Sequence, residues 1–319
     1  MPITDFPHGV SSFGLPILST LGMGNVYYVC QVANTNAYTL LLERFGAETY
    51  TDGSAMLHTT IQSALDATVA NRNDYVFVTP DSSDYDITAA LTMSKARTHL
   101  IAPAGLGHKG FPSNAVRIDQ TGAFSHFTVS ADTVEIAGFF FKGASGENII
   151  DLSSTRWHPH IHDNFFGMSA TDASDNYGIY GVGAVSHSSI HDNNFTNYLP
   201  GAVTGTDNDL GSFIFLSSAS NTRGLVRDNY FVTGVNTEVT SGINVAGIDI
   251  VIDDNVFLES VGSGGSQDGI FTLGITSGTG SMVLRNYFAM DGANEVSGGT
   301  SNESYTQNFE STSGGTVVT

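Results

Sequence analysis

One short pattern of apolar and polar residues recurs along the chain from residue 136 onward. Its best copy is Ile252–Phe257, in which an apolar residue is followed by two mostly polar positions, Asn, a variable residue and Phe. In the clear copies the Asn stands at positions 164, 193, 229, 255 and 286, with gaps of 29, 36, 26 and 31 residues. Repeats of this length without helical periodicity predict a solenoid of stacked coils.

Within each coil the pattern predicts a short strand, a turn and an inward-pointing Phe. Asn tolerates the left-handed backbone conformation that such turns need, and its amide can bond to the Asn above and below. Equivalent positions of stacked coils lie one strand spacing apart. The sequence therefore predicts two structural columns, one of asparagines (Asn164, Asn193, Asn229, Asn255, Asn286) and one of phenylalanines (Phe140, Phe166, Phe195, Phe231, Phe257, Phe288).

The residues before the repeats predict a helix that covers the first coil. Apolar residues recur at helical spacing between Met56 and Val69, and Ser54 is placed to act as the N-cap, which predicts one amphipathic helix over 54–71. A first coil without a cover would expose both its apolar core and an unpaired strand edge. Strands are predicted on either side of this helix, at Val26–Val29 and Tyr75–Val78.

This arrangement resembles the right-handed parallel β-helix of the pectin-lyase type, over roughly Asp52 to Met290. The resemblance implies an all-β chain: a single right-handed parallel β-helix of about six to eight coils, with an N-terminal extended arm and a short capping α-helix. The arm is assigned to residues 1–30, and the cap helix and β-helix to 31–290. Residues 291–319, rich in Gly, Ser and Thr, form either a C-terminal cap or strands completed by neighbouring subunits.

The first residues differ from the rest of the chain. Phe6–Pro16 mixes aromatic residues, Gly and Pro without a period, which is typical of an arm that becomes ordered on a partner or folds back on its own body. The segment also resembles the opening of tailed-phage virion proteins, in which an F-P-x-G-V-S-S-F-G-like stretch precedes a β-helix. That resemblance implies capsid attachment through Phe6, Pro7, Gly9, Val10, Phe13, Leu15 and Ile17.

The same resemblance implies a structural function and not an enzyme. The expected protein is a capsid decoration (cement) protein, displayed as a homotrimeric knob on a phage head and bound to the major capsid protein. The alternative is a tailspike-like β-helix that binds or cleaves host polysaccharide, because this fold class includes polysaccharide lyases and hydrolases. Asp253–Asp254 is the obvious adjacent acidic pair for such chemistry, but Asp253 is expected to pair with Arg227 one coil earlier.

Charge and cysteine content narrow the partners and the compartment. The chain has 31 acidic against 11 basic residues, a formal net charge of −20, which repels phosphate backbones and makes nucleic acid an unexpected partner. Cys30 is alone, so no disulfide forms within the chain. The first residues do not contain a basic region followed by an apolar run, and the sequence has no apolar segment long enough to span a membrane. We therefore expect no signal peptide, no membrane contact, synthesis in the host cytoplasm and assembly onto the virion capsid surface.

Five of the ten histidines fall within residues 158–191. His158, His160 and His162 alternate on a predicted strand and point outward. His187 and His191 follow His158 and His162 by 29 residues, so the register stacks His158 with His187 and His162 with His191. These four imidazoles are candidate ligands for Zn²⁺ or Ni²⁺, the alternative being an exposed row of stacked rings. No other cofactor is expected. Aspartate precedes four of the asparagines and is predicted to cap turn amides in preference to holding calcium (Asp163, Asp192, Asp228, Asp254).

Overall fold

The computed structural model describes residues 24–107, 115–143, 147–152, 154–168, 177–196, 210–233, 239–259, 280–289 and 304–310, with short strands at 11–12, 15–16, 272–275, 296–297 and 317–318. These residues form a single parallel β-helix. The chain passes in turn through three long sheets, called here sheets 1, 2 and 3, and then returns to sheet 1. From Asp74 onward each complete coil thus adds one strand to each sheet, in parallel register with the coil before it, whereas the last strand of sheet 2, Val317–Val318, pairs antiparallel with Asn308–Glu310.

The strand bounds follow this order, each sheet being given from its N-terminal end. Sheet 1 has eleven strands: Leu57–His58, Val26–Val29, Asp74–Val78, Thr98–Ile101, Glu135–Ala137, His160–His162, Ser189–His191, Leu225–Arg227, Val251–Asp253, Met282–Leu284 and Ser304–Thr306. Sheet 2 has ten: Tyr85–Ile87, Val116–Gln120, Phe139–Lys142, Phe165–Gly167, Asn194–Thr196, Tyr230–Thr233, Val256–Glu259, Tyr287–Ala289, Asn308–Glu310 and Val317–Val318. Sheet 3 has eight: Leu91–Met93, Phe127–Val129, Ile150–Asp151, Tyr177–Gly181, Leu210–Leu216, Val239–Val245, Thr272–Ile275 and Val296–Ser297.

Two small sheets complete the described strands. Ser11–Ser12 pairs antiparallel with Leu15–Pro16, and Arg156–Trp157 pairs in parallel with Val185–Ser186. Of the residues predicted to attach to a capsid, Leu15 lies in the first of these pairings. The others lie outside the described residues (Phe6, Pro7, Gly9, Val10, Phe13, Ile17).

The β-helix is longer than predicted at both ends. Val26–Val29 lies inside sheet 1, paired with Asp74–Val78, so residues 24–30 belong to the body and not to the arm. Ser304–Thr306 pairs in parallel with Met282–Leu284, so the coils continue past the predicted limit at Met290. From Asp74 onward, sheets 1 and 2 each contain nine successive parallel strands, which corrects the expected six to eight coils.

Two α-helices and one short 3₁₀ helix, Pro103–Gly105, lie in the described part of the chain. The predicted helix over 54–71 is in fact shorter, Ile61–Ala67 (α2). Its N-cap is Thr60 and not Ser54, and the Thr60 hydroxyl accepts the Ser63 amide at 3.2 Å. It starts late because Leu57–His58 forms the outermost strand of sheet 1. Its buried side chains join the core at the N-terminal end, as a covering helix should (Ile61, Ala64, Leu65).

The other helix, Thr35–Phe45 (α1), was not predicted. None of its residues is buried, and Leu40 is 67% exposed. The sequence does contain a signal for this helix, because Tyr38, Leu41, Leu42 and Phe45 recur at helical spacing. The Asn34 side chain caps it by accepting the Ala37 amide. Neither helix is long and apolar enough to span a membrane, among the residues described.

The interior contains the predicted stack of phenylalanines, with one correction at its N-terminal end. Ring centroids from Phe166 through Phe288 lie 4.4–5.0 Å apart, with planes within 12° of parallel. Phe141, and not Phe140, precedes Phe166 in register, at 5.1 Å. Phe140 instead packs edge-on against Phe165 in a small separate cluster. Because residues 139–141 are all phenylalanine, the alignment of this copy with the repeated pattern was ambiguous by one residue.

The asparagines form a continuous chain of buried hydrogen bonds, called here the asparagine ladder (Asn164, Asn193, Asn229, Asn255, Asn286, Asn308). Each side-chain Nδ2 donates to the Oδ1 of the next member at 3.0–3.1 Å. It also donates to a backbone carbonyl of the coil before, as Asn229 does to Ile190 at 3.0 Å. The Oδ1 accepts the backbone amide of the preceding member, as in Asn193 N–H to Asn229 Oδ1 at 3.1 Å. Asn308 extends the predicted column by one coil.

The left-handed residue of each turn is the one before the asparagine, which corrects the expectation that Asn itself takes this conformation. Asp163, Asp192, Asp228 and Asp254 have φ of 52–54°, and the same place is taken by Gly138, Arg285 and Gln307. Asp tolerates left-handed φ better than most residues because its short polar side chain can bond locally. The asparagine is thereby free to turn its amide inward.

We expect Asn229→Ala to destabilise the β-helix by about 1–3 kcal/mol, because the backbone N–H and one side-chain N–H of Asn193 lose their shared acceptor, and the Asn255 Oδ1 loses one of its two donors. The measurement is the midpoint of urea unfolding. Asn36→Ala, at an exposed position in α1, is the matched control and should shift stability by less than about 0.5 kcal/mol. Equal midpoints for the two variants would contradict a stabilising role for the ladder.

His126 predicts a specific sensitivity to acid. Its ring is fully buried and its Nε2–H donates to the Lys142 carbonyl at 3.0 Å, and burial lowers its pKa to about 4. The unfolded chain, with a pKa near 6.5, binds this proton first, so the free energy of unfolding falls as pH drops from about 6.5 to 4. We expect His126→Gln, which keeps a donor, to remove on the order of 2–3 kcal/mol of the loss measured between pH 7 and pH 4. An unchanged pH profile would show that His126 does not titrate on unfolding.

Candidate functional site

The candidate site lies on the outer face of sheet 1, where titratable side chains from successive coils lie side by side. In each strand of three, the central apolar residue points into the core and its two neighbours point outward. Parallel pairing then places the outward residues of successive coils in two rows. The first row contains Tyr75, His99, Glu135, His160 and Ser189; the second contains Ala137, His162, His191, Arg227 and Asp253.

Three histidines from these two rows lie close together. His160 and His162 flank the buried Ile161, and His191 lies opposite His162 on the next coil. The Nε2 atoms of His160 and His191 are 2.7 Å apart. One ring nitrogen of each of the three lies within 4.8 Å of those of the other two. The arrangement is called here the histidine triad (His160, His162, His191).

Carboxylates hold two of these rings in place. The Nδ1 of His162 contacts Asp163 at 2.8 Å, and the Nδ1 of His191 contacts Asp192 at 2.9 Å. Glu135, on the preceding coil, accepts from the Nε2 of His162 at 2.8 Å and from the Nδ1 of His99 at 2.5 Å. The site therefore extends from the triad to the coils before it, and its acidic partners orient two of the triad rings.

The electrostatics of the site follow from these contacts. Burial alone would lower the pKa of His162, but its bonds to Asp163 and Glu135 raise that pKa to about 9. Burial, with the adjacent His162 charge, lowers the pKa of His160 to about 4. Burial would raise the pKa of Glu135, yet the bonds from His162 and His99 hold it well below its usual range. At neutral pH the site thus contains a cationic His162 between two carboxylates, beside a neutral His160.

The predicted four-histidine ligand set is divided between two places, which corrects the sequence prediction. His158 and His187 do stack on each other, with ring centroids 4.8 Å apart. They have φ of 54° and 53°, however, and lie at the corner before sheet 1 instead of on the strand. Pro159 and this left-handed corner interrupt the alternation assumed for residues 158–162. His160, absent from the predicted set, takes their place in the triad.

Asp253, predicted to pair with Arg227 of the coil before it, instead pairs with Arg285 of the coil after it. Arg227 is in register with Asp253, but its Nε lies 3.8 Å from Asp228. Arg285 contacts Asp253 and lies 3.0 Å from Asp254. Both carboxylates of the pair therefore face one guanidinium group.

The aspartates before the asparagines have mixed roles. The predicted capping of an amide occurs at Asp163, whose Oδ1 accepts the Gly107 N–H at 2.8 Å. That amide comes from the loop after Thr98–Ile101 and not from the turn of Asp163 itself. Asp192, Asp228 and Asp254 contact His191, Arg227 and Arg285, respectively, in side-chain pairs.

Comparison with known proteins found one similar solved structure. No protein-family model and no curated protein sequence matches the chain. Among solved structures, a rhamnogalacturonan lyase is similar over 83% of this chain and 68% of its own, with 14% sequence identity and a TM-score of 0.43. The β-helix assignment rests on the strand register of the chain itself.

We expect Glu135→Gln to lower the free energy of unfolding by on the order of 2 kcal/mol, because His162 and His99 both lose a charged acceptor in a partly buried site. The measurement is chemical unfolding at pH 7 in the presence of EDTA, which keeps metal ions out of the comparison. Glu43→Gln, on the exposed surface of α1, is the control and should be close to neutral. A Glu135→Gln variant as stable as the parent would contradict this account of the site.

Proposed function

We propose that the chain is a structural protein of a tailed-phage particle, namely a capsid decoration protein whose β-helix is displayed as a trimeric knob. The observation that supports this proposal is the closure of the β-helix at its N-terminal end. Val26–Val29, Leu57–His58 and α2 complete and cover the first coil. Closure of the described core thus uses residues from Gly24 onward, and we propose that the segment before Gly24 is the attachment arm.

The composition of that segment suits attachment to a preassembled shell. Phe6, Phe13 and Ile17 are large apolar side chains spaced by Gly and Pro, suited to packing into grooves of another protein. Three arms from one trimer would bind through effective concentration, so each one can be weak alone. The body, with most of the 31 acidic residues, would stay soluble, and its negative charge would oppose non-specific association between trimers.

A second candidate is a tailspike-like β-helix that binds or cleaves host polysaccharide. The observation that favours it is the aligned row of Tyr75, His99 and Glu135 on a partly exposed sheet face, since aromatic and acid–base groups are what glycan sites use. Against it, Glu135 is bonded to two histidines, and the Asp253–Asp254 pair faces Arg285. The attachment proposal therefore ranks first.

Deletion of residues 1–20 tests the proposal. We expect the truncated protein to keep the circular dichroism spectrum and the oligomeric state of the full chain, yet to lose cosedimentation with undecorated capsids of the phage that encodes it. A finer version compares two double variants. The arm variant combines Phe6→Ser and Phe13→Ser. The body variant combines Val32→Ser and Leu40→Ser, which removes two exposed apolar side chains (56% and 67% exposed).

The outcomes separate the candidates. Loss of capsid binding in the arm variants but not in the body variants supports attachment through the arm. Full capsid occupancy after the deletion would place the contact on the β-helix body. Failure of the full-length protein to bind capsids, with depolymerisation of host polysaccharide that survives the deletion, would replace the first candidate with the second.

A further inference from the structure

We propose that the histidine triad binds a divalent transition-metal ion such as Zn²⁺ or Ni²⁺. The ligands are one ring nitrogen each from His160, His162 and His191. This inference is independent of the proposed attachment to a capsid, because it rests on the side chains of sheet 1 alone.

The positions of the nitrogens support the proposal first. Imidazole nitrogen is a preferred ligand of Zn²⁺, Ni²⁺ and Cu²⁺, and Zn–N bonds are about 2.0–2.1 Å long. Two such ligands on a tetrahedral ion lie roughly 3.3 Å apart. The Nε2 atoms of His160 and His191 are 2.7 Å apart, in a hydrogen bond to each other, so they need to separate only slightly. The His160 side chain is 39% exposed, which gives its ring room for that movement.

The carboxylates around the triad support it second. A metal-bound histidine usually donates its other N–H to a carboxylate, which fixes the ring orientation. His191 has this arrangement through Asp192, and His162 has it through Asp163, each by its Nδ1. In both rings the Nε2 is consequently the nitrogen left to bind an ion. On binding, the Nε2 of His162 exchanges its contact with Glu135 for the ion.

The charge of the site supports it third. Glu135, Asp163 and Asp192 are all within hydrogen-bonding distance of triad rings, so three carboxylates surround the proposed ligands. Such a surrounding favours a dication. The exposed side of His160 leaves an open coordination position for water or a further ligand.

The chain supplies its own matched control. His158 and His187 form a stacked pair on the same two coils as the triad. Their nearest aromatic neighbour is Trp157, whose ring stacks on His187 at 5.6 Å, and no third histidine joins them in the described structure. Substitution there removes the same type of side chain from the same coils without touching the triad.

The experiment uses the full chain without a polyhistidine tag, first dialysed against EDTA and then against metal-free buffer. Zn²⁺ and Ni²⁺ are titrated by isothermal calorimetry, with Mg²⁺ as the negative control. We expect saturable binding of one transition-metal ion per chain and a rise in melting temperature of about 3–5 °C at a metal concentration roughly 100 times Kd. Co²⁺ added to the apoprotein should give the visible absorption of a nitrogen-ligated ion.

Substitution of the ligands decides the assignment. His160→Ala and His191→Ala should each weaken binding by at least about tenfold and abolish the rise in melting temperature. His158→Ala and His187→Ala should retain the parental affinity within roughly twofold. Circular dichroism verifies folding, and His160→Gln replaces His160→Ala if the latter does not fold. Absence of one-to-one binding, or an equal loss in the His158 and His187 variants, would overturn the proposal.

Discussion

The whole structure depends on one repeated corner, where a left-handed residue is followed by a buried asparagine. The left-handed φ, taken by Asp163 and its equivalents, turns the chain from sheet 1 into sheet 2. The next residue then directs its amide into the core, where it bonds to the coils on both sides. A buried amide with all its partners satisfied is stabilising, whereas a shift of register by one residue would leave it unpaired. The ladder therefore specifies which coil residues face each other, as well as stabilising their contact.

The strand register that the interior columns establish determines which side chains meet on the outer face of sheet 1. Because the ladder and the stacked phenylalanines hold each strand of sheet 1 in one alignment, side chains far apart in sequence are brought into rows on its outer face. Glu135, His162 and His191 come from three coils and lie in contact for that reason alone. The fixed strand spacing then brings three of the histidines into a triad in which one ring nitrogen of each lies within 4.8 Å of those of the other two. Single strands of three residues would not order these groups without the interior columns.

Much of this could be predicted because the interior repeats and the exterior does not. The asparagine column and the stacking of His162 on His191 follow from counting between copies of one pattern, and the strands obey the count. The prediction was wrong where a copy was irregular: at Phe140, where three phenylalanines obscure the frame, and at His158, where a corner lies inside a stretch that appeared to alternate. The part that Glu135 plays in the site was missed because its copy of the pattern is irregular, with Gly138 at the position where four other copies have Asp. Aligning Ile136 with Ile161 would have placed Glu135 beside His160.

The position of the triad explains what a bound ion would do for a molecule of this kind. In a solenoid each coil contacts only its neighbours, so stability is approximately a sum of coil and interface contributions. His160 and His162 belong to one coil and His191 to the next, so an ion held by all three would act across a single interface. That interface already contains the Asn164–Asn193 bond and the Phe166–Phe195 stack on its inner side. Cys30 is the chain's single cysteine, so a disulfide within the chain is not available to join coils. Coordination of a metal on the outer face is a crosslink that stacked histidines can provide, and it reinforces the register that the buried columns establish.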